Sequence, residues 1–122
     1  MEFKKKNSLK FLKKQIQSTN FVFHLAGTNR SKNKKDFENN NVNLTSNICK
    51  FILDTKRKIP IFFSSTTKVN NKDSYYSKTK LQGENIIKYY EKPTLKRHYW
   101  KIMILAICIY KKFFFLFLIF II

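Results

Sequence analysis

The sequence predicts an α/β fold built on a doubly wound parallel sheet, and three observations carry that expectation. Two short apolar runs, residues 21–27 and 59–63, are separated by a stretch with helical periodicity, and a second periodic stretch follows at 76–90. The runs stand too far apart for a hairpin, and the helix between them has the length that a right-handed crossover between parallel strands requires. Polar residues then sit beyond the carboxyl ends of both runs, where such sheets bind their ligands: Ala26-Gly27-Thr28-Asn29 after the first and Ser64-Ser65-Thr66 after the second.

Taken in order, residues 1–19 read as a basic amphipathic helix, with Leu9, Leu12 and Ile16 at i, i+3 and i+7 among lysines. Lys13-Lys14 interrupt the apolar core that a secretory signal needs, so the helix is expected to be solvated, with a surface membrane anchor as the alternative. Residues 21–27 (FVFHLAG) form a nearly continuous apolar run closed by glycine, the pattern of a parallel strand buried on both faces. In 41–54 the apolar residues Leu44, Ile48, Phe51 and Ile52 mark one helical face. A turn at 56–58 leads into the second strand, which gives way to hydroxyl residues at 64–67, and 70–73 read as a loop. The last helix carries Leu81, Ile86 and Ile87 and ends before Pro93. The chain therefore divides into a helix at 1–19, an α/β unit at 20–92 and an apolar tail at 93–122.

A length of 122 residues allows one domain at most. The 25 Lys+Arg against 7 Asp+Glu give a net charge of +18, yet only Arg30, Arg57 and Arg97 are arginines. Nucleic-acid proteins lean on arginine for bidentate contacts, so the abundance of Lys, Asn, Ile and Phe reads as an A/T-rich coding sequence rather than a nucleic-acid footprint. Two glycines and two prolines exclude a collagen-like or linker chain. Cys49 and Cys108 make no disulfide framework, and with His24 and His98 so scattered no metal site is expected. A reduced, cytoplasmic chain is the default expectation from that cysteine usage, with membrane association through the C-terminal tail as the alternative.

The chemistry centres on Tyr76 and Lys80, whose i, i+4 spacing puts both on one face of the last helix. A lysine ammonium one turn from a phenol stabilises the phenolate and fits Tyr76 to pass a proton to or from a substrate oxygen. Thr66, at the end of the preceding strand, offers a hydroxyl to the same oxygen. Alone the pair means little, since a lysine-rich chain with 6 tyrosines yields one by chance. Its context, with strand, hydroxyl cluster and helix in order, gives it weight. Tyr75 is a rival in register, but only Tyr76 stands four residues before Lys80. His24 is expected to pack within the sheet and satisfy its own hydrogen bonds.

Four segments, His24-Leu25-Ala26-Gly27, Asn40-Asn41-Val42-Asn43-Leu44-Thr45, Phe63-Ser64-Ser65-Thr66 and residues 76–84 (YSKTKLQGE), resemble the extended short-chain dehydrogenase/reductase superfamily, the NAD(P)-dependent epimerases, dehydratases and reductases of nucleotide sugars. Within it the chain looks most like the capsule and O-antigen reductases of a UDP-2-acetamido-2,6-dideoxy-hexos-4-ulose. The resemblance spans roughly residues 10–92 and implies a partial Rossmann-like fold. It also implies Tyr76 as the catalytic acid/base, Lys80 as its phenolate-stabilising partner and a ligand of the nicotinamide ribose, and Thr66 as the hydroxyl that orients the substrate. Leu25, Ala26, Gly27, Thr28 and Asn29 would line NAD or NADP, Asn40 would contact it from the next helix, and Ser64 and Ser65 would support the site.

The superfamily opens with a strand and a Gly-x-x-Gly-x-x-Gly turn for the cofactor pyrophosphate, whereas Gly27 and Gly83 are the only glycines of this sequence. A fragment is therefore expected, starting near the helix before the fourth strand of the family pattern and inactive alone unless a complementing subunit or a homo-oligomer completes it. From about residue 93 the pattern departs, and 102–110 and 113–122 are apolar runs split by Lys111-Lys112. Ten residues span only about 15 Å, and a twenty-residue helix would carry both lysines near its centre at about 2.5 to 3.5 kcal/mol each. Insertion is marginal, which leaves a terminal membrane anchor, a frameshifted end and a buried strand or helix as readings of the tail. The alternative function is a basic membrane-associated or anion-binding protein with relic dehydrogenase motifs.

Overall fold

The computed structural model describes residues 8–66, 69, 74–91 and 104–106. Their order is α1 (Leu9–Ser18), β1 (Val22–His24), α2 (Lys34–Phe37), a π-helical segment (Glu38–Asn43), α3 (Leu44–Asp54), β2 (Ile61–Ser65), α4 (Tyr75–Glu91) and β3 (Ile104–Ala106). The three strands form one parallel sheet in the order β1-β2-β3. Val22 is in register with Ile61 and His24 with Phe63, while Phe63 is in register with Ile104. This is a partial Rossmann-like α/β fold.

Local chemistry explains the helix starts. Ser8 caps α1 by accepting from the Phe11 amide, and Asn33 caps α2 by accepting from the Lys35 amide at 2.9 Å. Ser74 opens α4 by accepting from the Ser77 amide at 3.1 Å. The helix between the first two strands begins at Lys34, seven residues before the start that its apolar periodicity suggests. Polar residues fill 34–43, and the π-helical segment shifts the phase of the helical face there, so the pattern of 44–52 cannot be extrapolated backward. After α3 the chain turns through Lys56, whose φ of 54° lies in the left-handed region.

One core joins α1, α3, α4 and the sheet: Leu12 and Ile16, Ile48 and Ile52, Ile59, Ile61 and Phe63, and Ile87 are all buried. The first helix is thus docked rather than solvated; its leucine and isoleucine face inward while Lys13 pairs with Asp54 of α3 at 3.0 Å. Strand β1 departs from the expected burial on both faces. His24 is buried, but Phe23 is 58% and Leu25 60% exposed, because β1 is the sheet edge among the described residues and nothing described covers its other face. A groove of about 730 Å³ runs along α1 and β1, lined by residues including Phe11, Ile16, Phe21 and Phe23. The second strand runs two residues later than expected, so Ser64 and Ser65 belong to β2 itself.

Within the apolar run at 102–110, Ile104–Ala106 pairs with β2 as a third parallel strand, the buried-strand reading for these three residues; the rest of the run lies outside the described residues. The loop at 70–73, residues 1–7 and the apolar run at 113–122 lie outside the described residues. Among the described residues no helix is long and apolar enough to cross a membrane.

Candidate active site

Lys80, Ser64 and Gly27 meet where β1, β2 and α4 converge. Lys80, on the second turn of α4, is 4% exposed. Its Nζ donates to the Ser64 carbonyl at 2.8 Å and lies 4.8 Å from the centroid of the Phe63 ring. A Cβ added to Gly27 would stand 3.0 Å from that Nζ, so the end of β1 passes directly over the ammonium. Burial pushes the Lys80 pKa down, and the Glu84 carboxylate acts in the opposite direction. Tyr76 sits half-buried one turn before Lys80, and its hydroxyl takes no hydrogen bond among the described residues. Thr66 is half-buried and lies two residues beyond the carbonyl that anchors Lys80.

Tyr75 is committed elsewhere. Its hydroxyl donates to the Glu38 carboxylate, its ring packs edge-on against Phe37, and Lys34 lies over it. The hydrogen bond to Glu38 raises its pKa. The two adjacent tyrosines therefore point to different surroundings, as a 100° step per residue along a helix requires.

Beyond β1, Leu25, Ala26, Gly27 and Asn29 are exposed and Thr28 is half-buried. Asn40 donates to the Thr28 hydroxyl at 2.7 Å, so it holds the β1 end rather than pointing away from the protein. Asn41, 1% exposed, was not singled out from the sequence. Its Oδ1 accepts from the Thr28 amide at 2.7 Å, and its Nδ2 donates to the Thr28 carbonyl at 2.9 Å and to the Thr79 hydroxyl at 3.0 Å. Thr45 donates to the Asn41 carbonyl at 2.8 Å and meets His24 Nε2 at 2.7 Å. Because the Thr45 proton is used on Asn41, the histidine donates from Nε2. Burial, aided by the Lys80 ammonium, lowers the His24 pKa to about 4 and keeps it neutral. His24 packs and satisfies its hydrogen bonding in the sheet.

No protein-family profile matches the chain. Over 73 residues it is 32% identical to the UDP-2-acetamido-2,6-beta-L-arabino-hexul-4-ose reductase of Pseudomonas aeruginosa, an alignment covering 60% of this chain and 20% of that protein. The fold superposes on the UDP-glucuronic acid 4-epimerase of Bacillus cereus, solved in complex with NAD, with a TM-score of 0.58 and 25% identity over 71% of this chain and 32% of the epimerase. The capsular polysaccharide assembling protein CapF of Staphylococcus aureus gives a TM-score of 0.57 and 27% identity over 72% of this chain and 24% of its own. These similarities support an NAD-dependent epimerase/reductase superfamily for the matched part of the chain. The chain spans a fifth of the length of the reductase and a third or less of the two structures.

The superfamily's cofactor can be tested against the side chains present. Residues 25–27 are exposed, and Gly27 comes close to the Lys80 ammonium: a Cβ there would stand 2.9 Å from Asn41 Oδ1, the end of a side chain that would have to shift. An exposed strand end over a buried ammonium is compatible with a dinucleotide bound beside Lys80. The second glycine is used in packing: a Cβ at Gly83 would stand 2.9 Å from Phe63 Cζ and 3.1 Å from the Asn41 carbonyl oxygen. Neither glycine is therefore available to a phosphate-binding turn. Among the described residues no group of three or more His, Cys, Asp or Glu could hold a metal ion.

Asn41, Thr79 and Glu84 are what sequence reasoning passed over. Each stood inside a quoted motif, but an asparagine triplet in an asparagine-rich chain and a glutamate on a lysine-rich helix carry no signal of burial.

Proposed function

We propose that the Tyr76–Lys80 site performs proton transfer at a carbonyl or alcohol oxygen of a nucleotide sugar, in an NAD(P)-dependent reductase or epimerase of surface-polysaccharide biosynthesis. The observation that carries the reading is Lys80, buried with its ammonium held on the Ser64 carbonyl at 2.8 Å and one helical turn from Tyr76. A cation in that place favours the phenolate, so Tyr76 can give a proton to a sugar oxygen as negative charge grows there and take it back in reverse. Thr66 orients the same oxygen. Residues 25–29 and Asn40 hold the nicotinamide end of NAD or NADP, which when bound supplies or accepts the hydride.

Similarity to a UDP-sugar reductase and a UDP-sugar epimerase supports a UDP-sugar as the substrate class, and a UDP-4-keto-hexose is the reading favoured by the reductase. Gly27 lies over Lys80 and Gly83 packs against Phe63, so the described residues offer no glycine cradle for the cofactor phosphates, and the chain is expected to be inactive by itself. The exposed edge of β1 and its apolar groove support completion by a further polypeptide segment, in a complementing subunit or a homo-oligomer.

The test is oxidation of NADH or NADPH with UDP-2-acetamido-2,6-dideoxy-hexos-4-ulose. No turnover is expected from the purified chain. Turnover is expected when residues 20–91 replace the matched segment of the Pseudomonas reductase. Activity of the purified chain alone would overturn the dependence on further chain, and a folded, inactive chimera would overturn the site assignment.

A further inference from the structure

Two successive residues of β2 are tied to two successive turns of α4. Lys80 Nζ donates to the Ser64 carbonyl at 2.8 Å, and the Ser65 hydroxyl donates to Glu84 Oε1. Glu84 and Ser65 are each 7% exposed. The other carboxylate oxygen, Oε2, lies 3.7 Å from Nζ of Lys88, which is half exposed. A carboxylate is costly to bury unless something requires its charge, and one exposed lysine at that distance does little to compensate it. The nearby group that does require a negative charge is Lys80, one turn earlier on the same helix face and more deeply buried than Glu84 itself.

We infer that Glu84 is a positioning residue of the site: gripped by the Ser65 hydroxyl, it supplies the fixed negative charge that keeps the Lys80 ammonium charged and seated at the ends of β1 and β2. The inference rests on the reading of Tyr76 and Lys80 as the reactive pair only for its bearing on catalysis; the geometry stands without it. Strand β1 offers His24, neutral and pushed to a pKa of about 4, and β2 offers the Ser64 carbonyl and the Phe63 ring. The π-helical segment offers the uncharged amide of Asn41, and α4 offers Tyr76 and Glu84. Glu84 alone among these opposes the effect of burial on Lys80, and it does so in the direction that keeps the ammonium protonated.

The test follows Lys80 itself, by the pH dependence of its 13Cε resonance in the full chain, assigned through its loss in Lys80→Met. Glu84→Gln keeps an oxygen for the Ser65 hydroxyl and removes only the charge, so a residue that merely braced the helix would leave the Lys80 midpoint unmoved. A fall of about half a pH unit or more is expected, with unchanged far-ultraviolet circular dichroism. Ser65→Ala, which keeps the carboxylate but unlocks it, moves the midpoint the same way by less, and it carries the test if Glu84→Gln does not fold. A midpoint unchanged in the folded variant overturns the inference. Because this readout needs no substrate, it fails independently of the proposed function. In the reductase chimera, Glu84→Gln is expected to bring the alkaline loss of turnover to lower pH with little change in KM.

Discussion

Asn41 brackets Thr28: its Oδ1 accepts from the Thr28 amide at 2.7 Å and its Nδ2 donates to the Thr28 carbonyl at 2.9 Å. A side chain that satisfies both backbone groups of one residue past a strand end does the work of a missing strand, fixing the segment that would line the cofactor. The π-helical segment makes this reach available, since it turns Asn41 inward while Leu44 and Ile48 keep their place against the core.

Asn41→Ala is therefore expected to destabilise the fold by about 1 to 3 kcal/mol, because it leaves the half-buried amide and carbonyl of Thr28 without this partner. Urea unfolding of the full chain measures it. A loss below about 0.5 kcal/mol would mean that water replaces the amide and the bracket is incidental.

The two glycines should differ in their tolerance of a methyl group. At Gly83 a Cβ meets the Phe63 ring and the Asn41 backbone, neither of which can swing away. Overpacking of about 1 to 3 kcal/mol then exceeds the roughly 1 kcal/mol that alanine gains over glycine within a helix. At Gly27 the nearest atoms are the ends of the Asn41 and Lys80 side chains, which can shift. Thermal melts should show Gly83→Ala lowering Tm more than Gly27→Ala; the reverse order would contradict the packing described.

His24 sets an acid limit on stability. Its folded pKa of about 4 lies below the ordinary 6.5, so the unfolded chain binds the extra proton between those values. Its contribution is therefore intact above about pH 6.5 and lost as the pH falls toward 4, amounting to about 3 kcal/mol over the window. His24→Gln retains a donor for Thr45 and should remove that part of the slope in denaturation measured at pH 7, 5.5 and 4. An identical slope in the variant would place the titration elsewhere.

Much of the fold was legible because the signals were local. The apolar runs containing His24 and Phe63 and the Leu44–Ile48–Ile52 face all appear as elements, since strand and helix periods are written directly into a sequence. What escaped depended on contacts distant along the chain. The exposure of Phe23 follows from what packs on that face of the sheet, and no run of neighbouring residues records that. Ile104–Ala106 stood in an apolar run for which a buried strand was only one of three readings, because a buried strand and a short membrane-like run share one composition. The Tyr76–Lys80 spacing was readable as one helix face, while the Ser65–Glu84 bond and the Asn41 bracket join residues 13 to 38 positions apart and leave no mark on spacing.

The adjacent tyrosines provide the sharpest comparison. Tyr75, bonded to Glu38 and packed on Phe37, is structural, whereas Tyr76 shares the helix face of Lys80. With residues 20–91 set into the Pseudomonas reductase, the measurement is kcat for NADPH oxidation with the UDP-4-keto sugar in Tyr76→Phe and Tyr75→Phe. The account predicts a loss of about 100-fold or more for Tyr76→Phe and turnover within a few-fold of the unmutated chimera for Tyr75→Phe. Full turnover in Tyr76→Phe, or a loss confined to Tyr75→Phe, would contradict it.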